Sequence, residues 1–179
     1  MTRLMQATRL NMQDFAEAGV PLIKATPLHN LERLAQECAG LQPDSIVNWQ
    51  AAPELRVGNV GQLDIWLHLT ADTSVPLTCQ RCMSVVQNAL QIDQWYRFVA
   101  SEDIAMAEDD SSDEDLLVLS PQFDLGELLE DELLMALPLV PMHDTCPELP
   151  VFGTGVFDVP TAVADKPNPF AALAQLKKK

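Results

Sequence analysis

Gln62-Leu-Asp-Ile-Trp-Leu-His-Leu-Thr70 alternates without a break. Leu63, Ile65, Leu67 and Leu69 fall on one side, and Asp64, Trp66, His68 and Thr70 on the other. A period of two with one apolar side is the pattern of a strand buried on one face. Val75, Leu77 and Cys79 keep the same period beyond Asp72-Thr73-Ser74, which reads as a turn. Met83 to Val99 is long and rich in β formers, with Leu90, Ile92, Tyr96 and Phe98 on one side. Upstream, Ile46 to Ala51 is a shorter strand. Val20 to Ala25 suits a sheet edge, because Pro21 has no N–H to donate. Leu116 to Leu119 supplies one more short strand. Strands that follow one another across short turns predict an antiparallel meander.

The flanking segments change period. Asp124 to Leu137 carries Leu125, Leu128, Leu129, Leu133, Ala136 and Leu137 at spacings of three and four. Asp124 and Glu127 fit a capping box, and Pro138 stops the helix. Pro27 to Ala39 reads as a second helix, with Thr26 as its cap, Leu28, Leu31, Leu34, Ala35 and Cys38 on one face, and Gly40 at its end. Asn11 to Ala18 is a short helix ending at Gly19. The expected class is α+β: an antiparallel sheet of about five strands, open or curled toward a barrel, with the 27–39 and 124–137 helices packed on it. Residues 1–19 have no assigned place, and 20–145 form one domain. Within it, Glu102 to Asp115 has eight acidic residues and little apolar content, so a mobile loop is expected. Residues 146–179 are rich in Pro and Gly and read as an extended tail, with Phe170 to Leu176 as a short helix or docking peptide.

Charge narrows the function classes. The 179 residues carry a formal net charge of −15. Residues 1–100 hold 7 basic and 9 acidic side chains, whereas 101–179 hold 4 and 17. Such a surface repels phosphate backbones, whose binding rests on Lys and Arg. A basic protein partner suits it better. No apolar run reaches the roughly 18–20 residues needed to span a bilayer. Met1 to Leu10 lacks the apolar core of a secretory leader. The cytoplasm is the default expectation, and there the four cysteines stay reduced.

Three constellations invite chemistry. Cys79-Gln80-Arg81-Cys82 sits between two strands, where a tight turn lets two thiolates hold one metal, as in a zinc knuckle. His143-Asp144-Thr145-Cys146 has the same spacing, so the two pairs could complete a tetrahedral Cys₃His zinc site. A metal-free hairpin with two buried thiols and an unrelated His and Cys fits the same spacing. A redox pair would want the first thiol at a helix start, not after a strand. Glu127, Glu130, Asp131 and Glu132 invite a carboxylate site, for acid–base chemistry or a divalent metal, but Glu127, Glu130 and Asp131 share a face opposite the leucine stripe, where a solvated surface is expected. There is no phosphate loop, no dinucleotide fingerprint, no GxSxG elbow and no EF-hand spacing. His29, His68 and His143 are scattered. Trp66 and Trp95 stand on outer strand faces, where aromatics can stack on bases, but packing against a helix is the expectation without a basic groove beside them.

Three stretches together resemble one family. Leu77-Thr-Cys-Gln-Arg-Cys-Met83 resembles the L-x-C-x-R-C hairpin of YceD-like proteins. Glu130-Asp-Glu-Leu-Leu-Met-Ala-Leu-Pro-Leu-Val-Pro-Met-His-Asp144 is similar to the family's acidic-leucine stretch followed by P-x-x-P-x-H. Lys166-Pro-Asn-Pro-Phe-Ala-Ala-Leu-Ala-Gln-Leu176 resembles its K-P-N-P-F-A-x-L tail. The resemblance implies a non-catalytic role in synthesis or accumulation of large-subunit (23S) ribosomal RNA, with no small-molecule substrate and no membrane. The expected partner is a basic large-subunit ribosomal protein, an assembly factor or a pre-ribosomal particle. Arg81, Glu130, Asp131, Glu132, Pro138, Pro141, His143, Asp144, Asn168, Pro169 and Phe170 are the expected contact residues. The alternative is an RNA-binding module that uses the sheet aromatics, Arg81, Arg97 and the terminal lysines. Apart from the open question of zinc at Cys79, Cys82, His143 and Cys146, no cofactor is expected.

Overall fold

A strand with one apolar face needs a layer to cover that face. In the computed structural model, which describes residues 9–58 and 61–147, helices supply the layer. The chain begins with β1 (Arg9–Leu10), α1 (Met12–Ala18) and β2 (Leu22–Pro27). A 3₁₀ turn at Leu28–Asn30 leads into α2 (Glu32–Glu37). Three long strands follow: β3 (Ile46–Val57), β4 (Leu63–Thr78) and β5 (Val85–Val99). Then come α3 (Glu102–Glu108), β6 (Asp115–Val118), β7 (Phe123–Asp124) and α4 (Leu125–Met135).

The main sheet has the order β2-β3-β4-β5-β6. Its strands pair antiparallel, with Ala51 opposite Leu69 and Leu67 opposite Tyr96, until β6 joins β5 in parallel. The parallel edge departs from the all-antiparallel expectation, since α3 carries the chain back before β6 starts. The sheet stays open, with β2 and β6 as edges, so the barrel alternative does not hold. Leu67, Leu69, Val75, Leu90, Ile92, Tyr96 and Phe98 face inward as the alternation predicts. Leu125, Leu129 and Leu133 of α4 meet them, and all three are buried. Asp124 caps α4 by accepting from the N–H groups of Gly126 and Glu127 at 2.9 and 3.3 Å.

Three expectations are corrected. Asp72-Thr73-Ser74 is no turn: β4 runs through it for 16 residues. Asp72 and Ser74 are simply its polar outer face, and the Thr73 hydroxyl donates to the Ile46 carbonyl at 2.8 Å. The 27–39 helix shrinks to α2, because Pro27 still pairs with Ile46 in the sheet and the Thr26 hydroxyl accepts from the Trp49 indole instead of capping. Glu130 of α4 caps α2 from outside, accepting from the Arg33 and Leu34 N–H groups at 2.7 and 3.1 Å. Residues 102–115 are not a loose loop. They form α3, a 3₁₀ turn at Asp109–Ser111 and the first residue of β6. The Arg97 guanidinium holds them by donating to Glu114, Glu108 and Ser112 at 2.7, 2.8 and 3.0 Å.

Residues 9–19 gain a place. The Asn11 side chain caps α1, Gly19 ends it at φ +62°, and β1 pairs with β7. Met12 is fully buried among the core residues. Met12→Ala should therefore lower unfolding free energy by about 2–5 kcal/mol in denaturant titration. A loss below about 0.5 kcal/mol would mean that this segment is not part of the core.

Candidate metal centre and the surface around it

The connection from β4 to β5 is the six residues Cys79 to Ser84. Cys79 N–H donates to the Ser84 carbonyl, and Met83 N–H to the Cys79 carbonyl, both at 2.9 Å. Among the described residues Met83 is the one non-glycine with positive φ, +62°. An unbranched side chain tolerates that region at a cost of about 1–2 kcal/mol. The turn is thus held tight, with its two cysteines on the same loop.

The second half of the centre comes from beyond α4. Pro138 prevents the helix from continuing, and the chain turns back to the hairpin. Gln80 N–H donates to the Pro141 carbonyl at 2.9 Å. The His143 ring places Nε2 3.0 Å from the Val85 carbonyl, a contact that requires the proton on Nε2. Nδ1 then faces the Cys82 Sγ, 3.4 Å away, and in the neutral ring presents its lone pair there. Cys146 is buried, with Sγ 3.9 Å from the Sγ of fully buried Cys79. The four ligand atoms of Cys79, Cys82, His143 and Cys146 all lie within 4.8 Å of one another. The spacing made these residues candidates, and the fold brings all four together. Cys38 stands apart, with its thiol on the Leu34 carbonyl at 3.3 Å and pushed up by burial.

Electrostatics divide the cluster. Burial pushes the Cys79 thiol up, but the backbone N–H groups of Cys82, His143 and Arg81 and the His143 ring outweigh it and hold Cys79 down at about 5. The Ser84 hydroxyl, 3.0 Å away, and its backbone N–H lower Cys82. Cys79 and then Cys82 raise His143, and burial sends Cys146 up to about 11. Such a set of soft sulfur and imidazole donors suits zinc chemistry.

The expected contact residues divide as well. Glu130 and Asp131 are engaged internally by the Arg33 guanidinium. Glu132 lies beside the buried Tyr96 phenol, which burial and that carboxylate push up. Arg81 reaches Met142 Sδ at 3.9 Å, and Asp144 and Pro138 are exposed. Asn168, Pro169 and Phe170 lie outside the described residues, as do the Phe170 to Leu176 segment and all of the tail beyond Pro147. The apolar stretch Pro138 to Pro141, read from the sequence as an exposed contact segment, does expose Leu139 and Val140, whereas Met83 and Val85 on the hairpin and Met142 after α4 were not flagged. Leu139 is 97% exposed. Large exposed apolar groups in one place were the available signal, but the contact between hairpin and returning segment is tertiary.

On the outer sheet face, Trp66 and Trp95 meet edge to face, with ring centres 6.4 Å apart. The Arg56 guanidinium lies 4.3 Å from one ring centre and 4.1 Å from the other. His68 stacks on Trp95 at 4.2 Å. Both indoles are thus already in contact with the chain's own Arg56.

Fold and site define a class: a small, mostly antiparallel α+β protein whose central hairpin ends in a thiol turn, closed by a His/Cys segment returning from the last described helix. A family model described as "Large ribosomal RNA subunit accumulation protein YceD" matches residues 67–177, a span that includes both halves of the centre. A Haemophilus influenzae protein of the same description is 34% identical over 165 residues, covering 84% of this chain and 84% of its own. The chain belongs to the YceD family. No solved structure gives a significant match. No helix among the described residues is long and apolar enough to cross a membrane.

Because Arg97 alone gathers Glu108, Ser112 and Glu114, Arg97→Ala should speed amide hydrogen exchange across 102–114 by about tenfold or more while leaving β4 unchanged. Unchanged exchange in 102–114 would show that Arg97 does not order the segment.

Proposed function

We propose that this chain supports accumulation of the large ribosomal RNA subunit (23S) as a non-catalytic cytoplasmic assembly factor, and that it does so by docking on a basic large-subunit protein or assembly factor. Family membership points to the subunit. The distribution of charge carries the docking reading. Between Arg97 and Lys166 the sequence has 17 Asp and Glu and no Lys or Arg. Glu102, Asp103, Asp109, Asp110 and Asp113 are exposed on α3 and the turn after it. Such a field attracts a Lys/Arg-rich protein and repels RNA phosphates. Leu139, Val140 and Met142 supply the apolar anchors that charge alone lacks.

Direct RNA binding through the sheet aromatics is the second reading. Trp66, Trp95 and His68 do gather on one face of the sheet, which is part of the geometry it needs. Of the basic side chains near that face, Arg97 is engaged by Glu108 and Glu114, and Arg56 by Glu54 at 2.7 Å. Protein docking is therefore the favoured reading.

Tagged full-length chain recovered from lysate after RNase should retain basic large-subunit proteins. Retention should fall about tenfold or more when Leu139 and Val140 are replaced by Asp, and more steeply with salt for the wild type than for a variant with neutralised 102–113. Complete loss on RNase treatment, with protein-free RNA binding and a steep salt slope, would instead establish the RNA reading.

A further inference from the structure

We infer that Cys79, Cys82, His143 Nδ1 and Cys146 form a structural zinc site that fastens the segment after α4 to the β4–β5 hairpin. The inference stands apart from the partner proposed above, since it concerns what holds the chain together and not what the chain meets.

Distances carry it. A tetrahedral zinc with bonds of about 2.3 Å to sulfur and 2.0 Å to nitrogen has S···S edges of about 3.8 Å and S···N edges of about 3.5 Å. The Cys79–Cys146 and Cys82–His143 separations are 3.9 and 3.4 Å. The widest pair in the set, within 4.8 Å, has to close by no more than about 1.3 Å, which small side-chain rotations supply. A sulfur separation of 3.9 Å is, by contrast, far from the roughly 2.05 Å of a disulfide.

The surroundings are those of a ligand set. A histidine that binds metal through one nitrogen ordinarily donates from the other to a carbonyl or carboxylate. His143 Nε2 meets the Val85 carbonyl, which leaves Nδ1 aimed at the sulfurs. Met83 holds the left-handed conformation that lets the loop double back between its cysteines and β5. Four protein ligands leave no open position for water or substrate, so the site is structural and not a hydrolytic centre. Its halves are 61 residues apart in sequence at Cys82 and His143, so a metal here joins two distant segments that the Gln80–Pro141 and His143–Val85 contacts already align.

The test is metal content of the full chain, prepared without a histidine tag and with thiols confirmed as reduced. About one zinc per chain should survive dialysis against metal-free buffer. Cys146→Ser and His143→Ala should weaken zinc retention against a competing chelator by about tenfold or more, whereas Cys38→Ser should not. If the variants fail to fold, cobalt added to the metal-stripped wild type decides: visible bands of tetrahedral intensity with a thiolate charge-transfer band support the site. Less than about a tenth of an equivalent of zinc, with no such bands on adding cobalt, would overturn it. So would zinc retained undiminished by a folded Cys146→Ser chain.

Discussion

The contact between the leucines of α4 and the inner face of β4 and β5 is the constraint on which the rest depends. Leu125, Leu129 and Leu133 are buried against a sheet whose Leu67, Leu69 and Tyr96 are buried in turn. Fully burying one such side chain contributes about 1.5–3 kcal/mol. Once α4 lies on that face, its polar side has defined neighbours. Glu130 reaches α2 and caps it, and Asp131 pairs with the Arg33 guanidinium. Carboxylates that look like a solvated stripe in sequence thus become connections between elements.

The end of α4 follows from the same contact. Pro138 stops the helix close to the β4–β5 turn, so the next residues return along the hairpin instead of leaving it. Pro141 and His143 make backbone-level contacts there, and Cys146 is buried next to Cys79. The same turn displays Leu139, Val140 and Met142 outward. One short segment therefore has two sides: an inner side that completes a thiol–imidazole cluster, and an outer side that displays large apolar groups. Fixing the first would order the second and so lower the entropic cost of the proposed docking.

Much of this was legible in the sequence, for identifiable reasons. The period of β4 and the leucine stripe of α4 are local patterns, and both elements appear where the patterns place them, as does the short helix capped by Asn11. Cys79, Cys82, His143 and Cys146 were legible as ligand types at ligand spacing. What failed was local composition that tertiary contacts override. Asp72-Thr73-Ser74 looks like a turn because two of its polar residues, Asp72 and Ser74, share a strand's outer face and the third, Thr73, lies between them. Residues 102–115 look loose because nothing local shows that Arg97 binds three of their side chains. The Pro27 helix loses its first turn to sheet pairing with Ile46. The stacking of Arg56 on Trp66 and Trp95 needs the register of β3, β4 and β5, which no window of sequence contains.

The central claim is that a metal-closed cluster holds the segment after α4 on the hairpin. Residue-resolved hydrogen exchange, with and without a chelator, tests it most directly. The account predicts that the Gln80 amide, bonded to the Pro141 carbonyl, and the amides of 143–146 are protected in the metal-loaded chain and exchange at least about tenfold faster once the metal is removed, while α4 at 125–135 keeps its protection. Equal protection of Gln80 and 143–146 in the two states would contradict it.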